Sequence, residues 1–498
     1  MICVSVCART ADELIENIKK AEEFADVVEV RFDCIDPDQI QKSFALLSSK
    51  KPLLLTYRPV EQGGNADVEP EWRFAFWTAF VVNNTAIDKR KIWLDYEYDL
   101  IRQVQKLANP VTIHSYHDFS GVPEDVEKIY DRLASDDAIA KIAFHTEDTI
   151  DGLPLWKLLR KAGAENMPLI PIAMGEAGKW TRILGLAYGA PVTYAALESG
   201  KEVAPGQISA EEMRDVYRVK ELTEETKIYG VIGSPVAHSL SPHMQNAAFK
   251  ATGSDAVLVP FEVKDLDAFI TRFLPESGLN IKGFAVTIPH KQAIIKYLDE
   301  IDETARKIGA VNTVKIIDGK LYGYNTDAGG FIGPLKRAQN SYGDLNGAKA
   351  AVIGAGGAAR ACVYALQKEG VAVTVFARDT QKAEPLTREF DVELRPLPFT
   401  IHHSPYTIIV NTTPLGTKGE FENESVIEAG QFEGVLLAYD LVYNPMVTRF
   451  MREAEKTGVP KILSGAEMLA AQGAEQFRIW TGKDAPAEEM KKALLNRL

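Results

Sequence analysis

Eight apolar runs of strand length occupy residues 2–7, 27–33, 52–58, 91–98, 111–118, 138–145, 168–174 and 191–197. Between them, segments such as ADELIENIKKAEEFA (11–25) and PEDVEKIYDRLA (123–134) repeat apolar residues at helical spacing. Strand alternating with helix eight times predicts an α/β fold of one kind, the (β/α)8 TIM barrel. An open doubly wound sheet is the competing arrangement. The count of eight disfavours it, and so does the lack of a Gly-rich phosphate fingerprint after any of these strands. At 498 residues the chain is too long for one ordinary core, so further domains must follow.

Charged residues at 25% and hydrophobic residues at 46% are values of a soluble globular protein. The net charge of −13 argues against nucleic acid or an anionic membrane as partner. A bound phosphate or carboxylate must then be held by local cations. Cys3, Cys7, Cys34 and Cys362 are too few and too scattered for a disulfide framework, which points to a reducing compartment. The N-terminal MICVSVCART has no basic segment before its apolar run and reads as a strand, not a signal peptide. No stretch of about 18 apolar residues could span a bilayer. A soluble, cytoplasmic protein without a metal is expected.

In such a barrel the chemistry sits at the C-terminal ends of the strands. Glu29, Arg31, Arg58, His117, Lys141 and Arg182 are the polar residues there. Glu29 and Arg31 also suit an ordinary ion pair, and His117 a satisfied buried histidine. Lys141 is harder to dismiss. It interrupts an apolar strand, where an ammonium is costly unless its pKa falls. A lysine of lowered pKa is a carbonyl nucleophile that forms a Schiff base, and three nearby arginines suit a carboxylated substrate.

With EVRFD, TYR, HDF, AKIA, MGEAGKWTR and APGQ in place, residues 1–222 resemble type I 3-dehydroquinate dehydratase along their whole length. The resemblance implies that Lys141 forms an imine with the ring ketone of 3-dehydroquinate. It makes His117 the general acid and base, puts Arg182 on the substrate carboxylate, and puts Glu29, Arg31, Arg58 and Gln207 around the ring. Two positions depart from the family: Gln62 stands where Glu is usual, and Val203 where Ser is frequent. Neither handles the imine or the proton, so altered affinity or lid closure is expected, not lost chemistry.

The stretch 205–242 joins two halves. It opens as the last loop of the barrel, continues as a charged segment expected to be a helix running into a linker at 223–226, and ends in SPVAHSLSP. Beyond it, residues 227–327 alternate short strands and helices, punctuated by Ser239 and Ser241, by Thr287 and Lys291, and by Asn325–Asp327. Ser241 before Pro242 reads as a helix N-cap, and a helix N-terminus with extra hydroxyls also suits a carboxylate. Residues 348–379 read strand, Gly-rich turn, helix, strand. Gly354, Gly356 and Ala359 fit G-x-G-x-x-A, the dinucleotide pattern. Arg378 ends the second strand, where an acid would mark NAD; it favours NADP, while Asp379 blunts that preference.

With GSPVAHSLSP, VTIPHK, AVNT, NTDAGG, GAGGAAR, NTTPLG, YNP and MLAAQG added, residues 227–498 resemble shikimate dehydrogenase throughout. The resemblance implies a ring-binding lobe at 227–327 plus 463–498 and a Rossmann lobe at 328–462. Ser239, Ser241 and Tyr443 would hold the substrate carboxylate. Thr287, Asn312, Asp327 and Gln472 would reach ring hydroxyls, and Lys291 with Asp327 would handle the proton. Gly354, Ala355, Gly356, Gly357, Ala358, Arg378, Thr412 and Gly465 would contact NADP. Together the halves imply a bifunctional shikimate-pathway enzyme that dehydrates 3-dehydroquinate and reduces the product with NADPH. Alternatives are a second half acting on quinate, a class I aldolase barrel, and a ligand-sensing relative without catalysis. Residual His117, Lys141, Lys291 and Asp327 argue against the last.

Overall fold

The computed structural model describes every residue except 66, 84–90, 105–110 and 399–404. Each of the eight expected runs holds one strand: β1 (Ile2–Val6), β2 (Val27–Arg31), β3 (Leu53–Thr56), β4 (Ile92–Glu97), β5 (Val111–Asp118), β6 (Ala138–His145), β7 (Leu169–Met174) and β8 (Thr193–Ala196). They form a near-closed parallel barrel in the order β7-β6-β5-β4-β3-β2-β1-β8. Side chains alternate faces along a strand, so every second residue enters the barrel. One layer inside is apolar: Cys3, Val27, Leu54, Trp93, Ile113, Ile170 and Tyr194 pack as one cluster. Two residues further along, the same strand faces carry Ser5, Glu29, Thr56, Asp95, Ser115 and Lys141. The strands thus lift polar groups from an apolar plug toward their C-terminal ends.

Two expectations fail here. Cys7 and Cys34 form a disulfide, with Cα atoms 5.5 Å apart. Their 27-residue separation hides the proximity, because adjacent β1 and β2 deliver one cysteine each just past their ends. The charged junction is no long helix either. Its helix is only Ala210–Asp215, N-capped by Ser209, whose side chain accepts from the Glu212 N–H. Tyr217, Val219 and Leu222 follow and are buried, a spacing that suits no single helical face.

The chain divides into two compact units, the first comprising Met1–Ile228, Ser234–Ala237 and Val259–Asn280. The motif order assigns Val259–Asn280 to the ring-binding lobe, yet it packs with the barrel. Thr149 Oγ1 donates to the Glu262 carbonyl at 2.9 Å, and Trp156 Nε1 to the Ser277 carbonyl at 3.1 Å. The Asp148 carboxylate accepts from the Lys264 and Asp265 N–H groups, both at 2.8 Å. Trp180 meets Phe273 edge-on with centroids 5.2 Å apart.

Two six-stranded sheets follow in the chain. The first is mixed and comprises β9 (Lys227–Gly233), β10 (Ala256–Glu262), β11 (Ile281–Val286), β12 (Glu300–Ile301), β13 (Thr313–Ile317) and β14 (Lys320–Tyr324). The second comprises β15 (Lys349–Ile353), β16 (Ala372–Ala377), β17 (Glu393–Pro396), β18 (Ile408–Asn411), β19 (Leu437–Asp440) and β20 (Lys461–Ser464). It is wholly parallel in the order β17-β16-β15-β18-β19-β20, the doubly wound order whose switch point lies between β15 and β18. Apolar clusters cover both its faces: Ala350 and Val352 point into one, Ala351 and Ile353 into the other. That explains the uninterrupted apolar run in β15. Among the described residues, no helix is long and apolar enough to cross a membrane.

Candidate active sites

The polar layer of the barrel opens into a narrow cavity of about 20 Å³. Glu29, Arg31, Arg58, His117, Lys141, Arg182 and Gln207 all line it, so the structure gathers the whole expected set. Lys141 is 2% exposed. Its Nζ donates to Asp95 Oδ2 at 3.2 Å and sits 4.1 Å from the centre of the Tyr194 ring. Burial lowers its pKa and Arg58 adds to that, while Asp95 and Glu29 pull the other way. Burial would raise Glu29, but Lys141, Arg58 and Arg31 overcome it and hold the carboxyl at about 2. Ser5 and Thr56 donate to it at 2.5 and 2.9 Å.

His117 is buried, and burial together with Arg58, Lys141, Arg31 and Arg182 keeps it well below the usual histidine range. Its Nδ1 lies 3.4 Å from Gln62 Oε1, an oxygen that can only accept. Its Nε2 has no hydrogen-bond partner among the described residues. The Gln62 departure thus lies on the histidine itself, a contact that its place in a loop did not announce. Arg31 is engaged by Asp33 through two hydrogen bonds of 2.8 and 2.7 Å. Arg182, by contrast, has no carboxylate partner among the described residues; it donates to the Pro205 carbonyl at 3.3 Å. A buried guanidinium without an anion is a receptor for one.

The sequence reading missed the acids that organise these cations. Asp95 accepts from Arg58 at 2.8 Å as well as from Lys141. Glu97, 3.3 Å from Arg73, is pushed up by burial and by Asp95. The signal was present: two acids at alternate positions of KIWLDYEY share one face of an otherwise apolar strand.

The second unit holds a cavity of about 170 Å³ lined by Ser239, Ser241, Thr287, Lys291, Asn312, Asp327, Tyr443, Gly465 and Gln472. Asp327 opens the helix Asp327–Arg337 and is 4% exposed. Its Oδ2 accepts from Lys291 Nζ at 2.5 Å and its Oδ1 from Asn312 Nδ2 at 2.7 Å. Asn312 Nδ2 also reaches Gln472 Oε1 at 3.3 Å, which links β13's start to the helix Gly465–Thr481. Ser241 is not the N-cap that its sequence suggests. The helix Ser241–Ala251 starts on Ser241 itself after Leu240, with no side-chain cap bond, so the Ser241 hydroxyl is not used for capping.

A further cavity of about 220 Å³ is bounded by Ala358, Thr412, Thr413, Leu441, Val442 and Tyr443, with His238 and Ile288. Ala358 and Tyr443 belong to both cavities. Gly354, Ala355, Gly356, Gly357 and Arg378 line neither; they form the turn after β15 and the end of β16. Gly354 has φ +115°, and a Cβ there would collide with Thr412 Oγ1. A Cβ on Gly357 would lie 3.1 Å from Lys291 Cβ, so the Gly-rich turn sits directly against the lysine. Arg378 is exposed, whereas the Asp379 carboxylate caps the helix Thr380–Phe390 by accepting from the Lys382 N–H at 3.1 Å. These features fit a dinucleotide: a backbone open to a pyrophosphate, a helix N-terminus behind it, and an exposed cation at the ribose end.

The comparisons with known proteins agree with this geometry. Residues 2–224 match the type I 3-dehydroquinase family. Residues 231–314 match the shikimate dehydrogenase substrate binding domain, 336–411 the shikimate / quinate 5-dehydrogenase family, and 465–495 the shikimate 5'-dehydrogenase C-terminal domain. Fold and family matches define a lyase barrel joined to an α/β oxidoreductase in one chain. The bifunctional 3-dehydroquinate dehydratase/shikimate dehydrogenase, chloroplastic, of Arabidopsis thaliana is 34% identical over 98% of this chain and 83% of its own. The shikimate dehydrogenase (NADP(+)) of Pyrococcus furiosus is 41% identical over 54% of this chain and 96% of its own. A crystal structure of shikimate dehydrogenase in complex with NADP+ is 39% identical, covering 55% of this chain and 96% of that one with a TM-score of 0.50. The chain belongs to the bifunctional 3-dehydroquinate dehydratase/shikimate dehydrogenase family and serves the shikimate pathway with both activities.

Proposed function

We propose that Lys141 carries the dehydration as a Schiff base. Its neutral amine attacks the ring ketone of 3-dehydroquinate and water departs, leaving an iminium. The iminium accepts the electron pair left when the α-proton is removed, and the β-hydroxyl is then expelled as water. His117 takes and returns these protons through Nε2, and water then hydrolyses the iminium, releasing 3-dehydroshikimate and restoring the Lys141 amine. Arg182 holds the substrate carboxylate; Glu29, Arg58 and Gln207 face ring hydroxyls, while Arg31, engaged by Asp33, fixes the wall beside them. One observation carries this reading: a 2% exposed ammonium shares its cavity with a histidine whose Nε2 is open. Borohydride added during turnover of 3-dehydroquinate should fix a reduced adduct on Lys141, mapped by mass spectrometry. An adduct elsewhere, or a Lys141→Ala variant with unchanged turnover, would overturn it.

In the second unit, Ser239, Ser241 and Tyr443 hold the carboxylate of 3-dehydroshikimate, and Thr287, Asn312 and Gln472 its hydroxyls. Lys291 meets the developing alkoxide with charge and a proton, and Asp327 holds the ammonium in place. Gly354–Ala358, Thr412 and Gly465 would hold NADP, with the nicotinamide end toward the 220 Å³ cavity. When bound, NADPH supplies the hydride. Arg378, with Asp379 occupied as a cap, supports the 2′-phosphorylated form over NAD. By motif order the lobes take the bounds 227–327 plus 463–498 and 328–462, although Val259–Asn280 packs with the barrel, and the setting is the cytoplasm. Rates with shikimate and quinate, each with NADP and NAD, test substrate and cofactor choice together.

A further inference from the structure

Asp440 is a fully buried carboxylate that neither reaction uses. It ends β19, opposite Asn411 at the end of β18. Its Oδ1 accepts from Asn411 Nδ2 at 2.9 Å and from the Val442 N–H at 3.0 Å; its Oδ2 accepts from Thr448 Oγ1 at 2.5 Å. The directions of these bonds are fixed. Asn411 Oδ1 takes the Thr413 N–H at 3.0 Å, so its NH2 must face Asp440. Thr448 Oγ1 accepts from the Met451 N–H at 3.3 Å, which leaves its hydrogen for Asp440. All three partners are donors, an arrangement that only an ionised carboxylate satisfies completely.

The tied segments are those that bound the 220 Å³ cavity. The Asn411 side chain holds the turn through Thr413 and through the Leu415 carbonyl at 3.2 Å, and Val442 starts the loop that carries Tyr443 and Asn444. We propose that Asp440 is a positioning residue for the reduction: as a carboxylate it locks the turn after β18 to the loop after β19 and so sets how the nicotinamide end of the cofactor seats. The inference rests on assigning that cavity to the cofactor.

Burial pushes the Asp440 carboxyl up to about 6, opposed only by the Thr448, Val442 and Asn411 donors. The facing side chains are uncharged: Asn411 on β18, Ser464 on β20 and Thr448 before the helix Arg449–Lys456. The charged residues of that helix and of β20 are Arg449, Arg452, Glu453, Glu455, Lys456 and Lys461, and the stretch after β18 carries Lys418, Glu420, Glu422, Glu424 and Glu428. Arg449 is drawn outward to Glu428 at 2.9 Å, and Glu453 to Lys456 at 2.7 Å. The lock should therefore loosen as the pH falls through about 6.

The test is steady-state reduction by the full chain from pH 5 to 8. In the native enzyme the KM for NADPH should rise below about pH 6, with kcat changing much less. Asp440→Asn should raise that KM about tenfold at pH 7.5, the loss of a charge-assisted hydrogen bond, and flatten the rise below pH 6. The cofactor's 2′-phosphate also titrates near pH 6 but is common to both proteins, so the difference between the profiles is the reading. Thr448→Val should shift the limb upward in pH and Thr448→Ser restore it. Dehydratase activity in the same chain and a thermal melt confirm folding. Superimposable KM profiles for native and Asp440→Asn protein, or a loss confined to kcat, would overturn the proposal. If the enzyme uses NADH instead, the cofactor assignment fails while the same profile with NADH still tests Asp440.

Discussion

Glu29 shows how strongly one barrel residue depends on its neighbours. Its carboxyl would ordinarily titrate near 4.5, and burial alone would raise it, yet three cations hold it at about 2. A depressed carboxyl adds stability that is present above its ordinary pKa and lost as pH falls toward the folded value. The window is thus roughly pH 4.5 down to 2, and the full contribution is about 3 kcal/mol. Glu29→Gln should lower the denaturant midpoint at pH 7, and the gap from native protein should close as both are titrated to pH 2. A gap that persists unchanged into acid would mean that packing, not charge, explains the loss. Lys141 was legible in sequence because it broke an apolar run. Asp95 was marked only by its alternate spacing with Glu97 on an apolar strand, and the cations that meet it, Arg58 and Lys141, come from distant parts of the sequence.

Among elements, the Gly-rich turn after β15 tolerates little change. Gly354 combines φ +115° with a Thr412 hydroxyl where a side chain would go. Gly354→Ala must strain the backbone by about 1–3 kcal/mol or push Thr412 aside. NADPH binding, followed by nucleotide fluorescence, should weaken at least tenfold while dehydration continues at its native rate. Undiminished binding would show that the turn does not approach the nucleotide. Strands and this turn were readable because periodicity and glycine spacing are local properties. The junction after Asp215 was not, because Tyr217, Val219 and Leu222 are buried by distant partners, not by helical phase. Ser241 misled for a related reason: a serine before proline suits the cap, but the helix begins one residue early. The Cys7–Cys34 bond needed knowledge of which strands are neighbours.

At the scale of the whole molecule, family boundaries and packing boundaries disagree. The dehydratase match ends at residue 224, but the barrel's compact unit includes Val259–Asn280. Phe273 lies in that segment against Trp180, two residues before Arg182, which lines the barrel cavity. Phe273→Ala should cost about 3–5 kcal/mol of packing. It should lower the temperature at which dehydration is lost, although Phe273 lies outside the matched dehydratase sequence. Unchanged heat resistance of dehydration would show that the barrel does not depend on this contact. No local pattern could reveal that a stretch written among reductase motifs would be recruited by the lyase.

That recruitment bears on how such a gene can be cut. Trp156 and Trp180 are wholly covered, and part of their cover is supplied from beyond the junction. A descendant encoding only the first catalyst would uncover indole rings and an orphaned indole N–H, and would have to acquire a new wettable coat before it could circulate alone. Separation would therefore have to cover Trp156 and Trp180 anew.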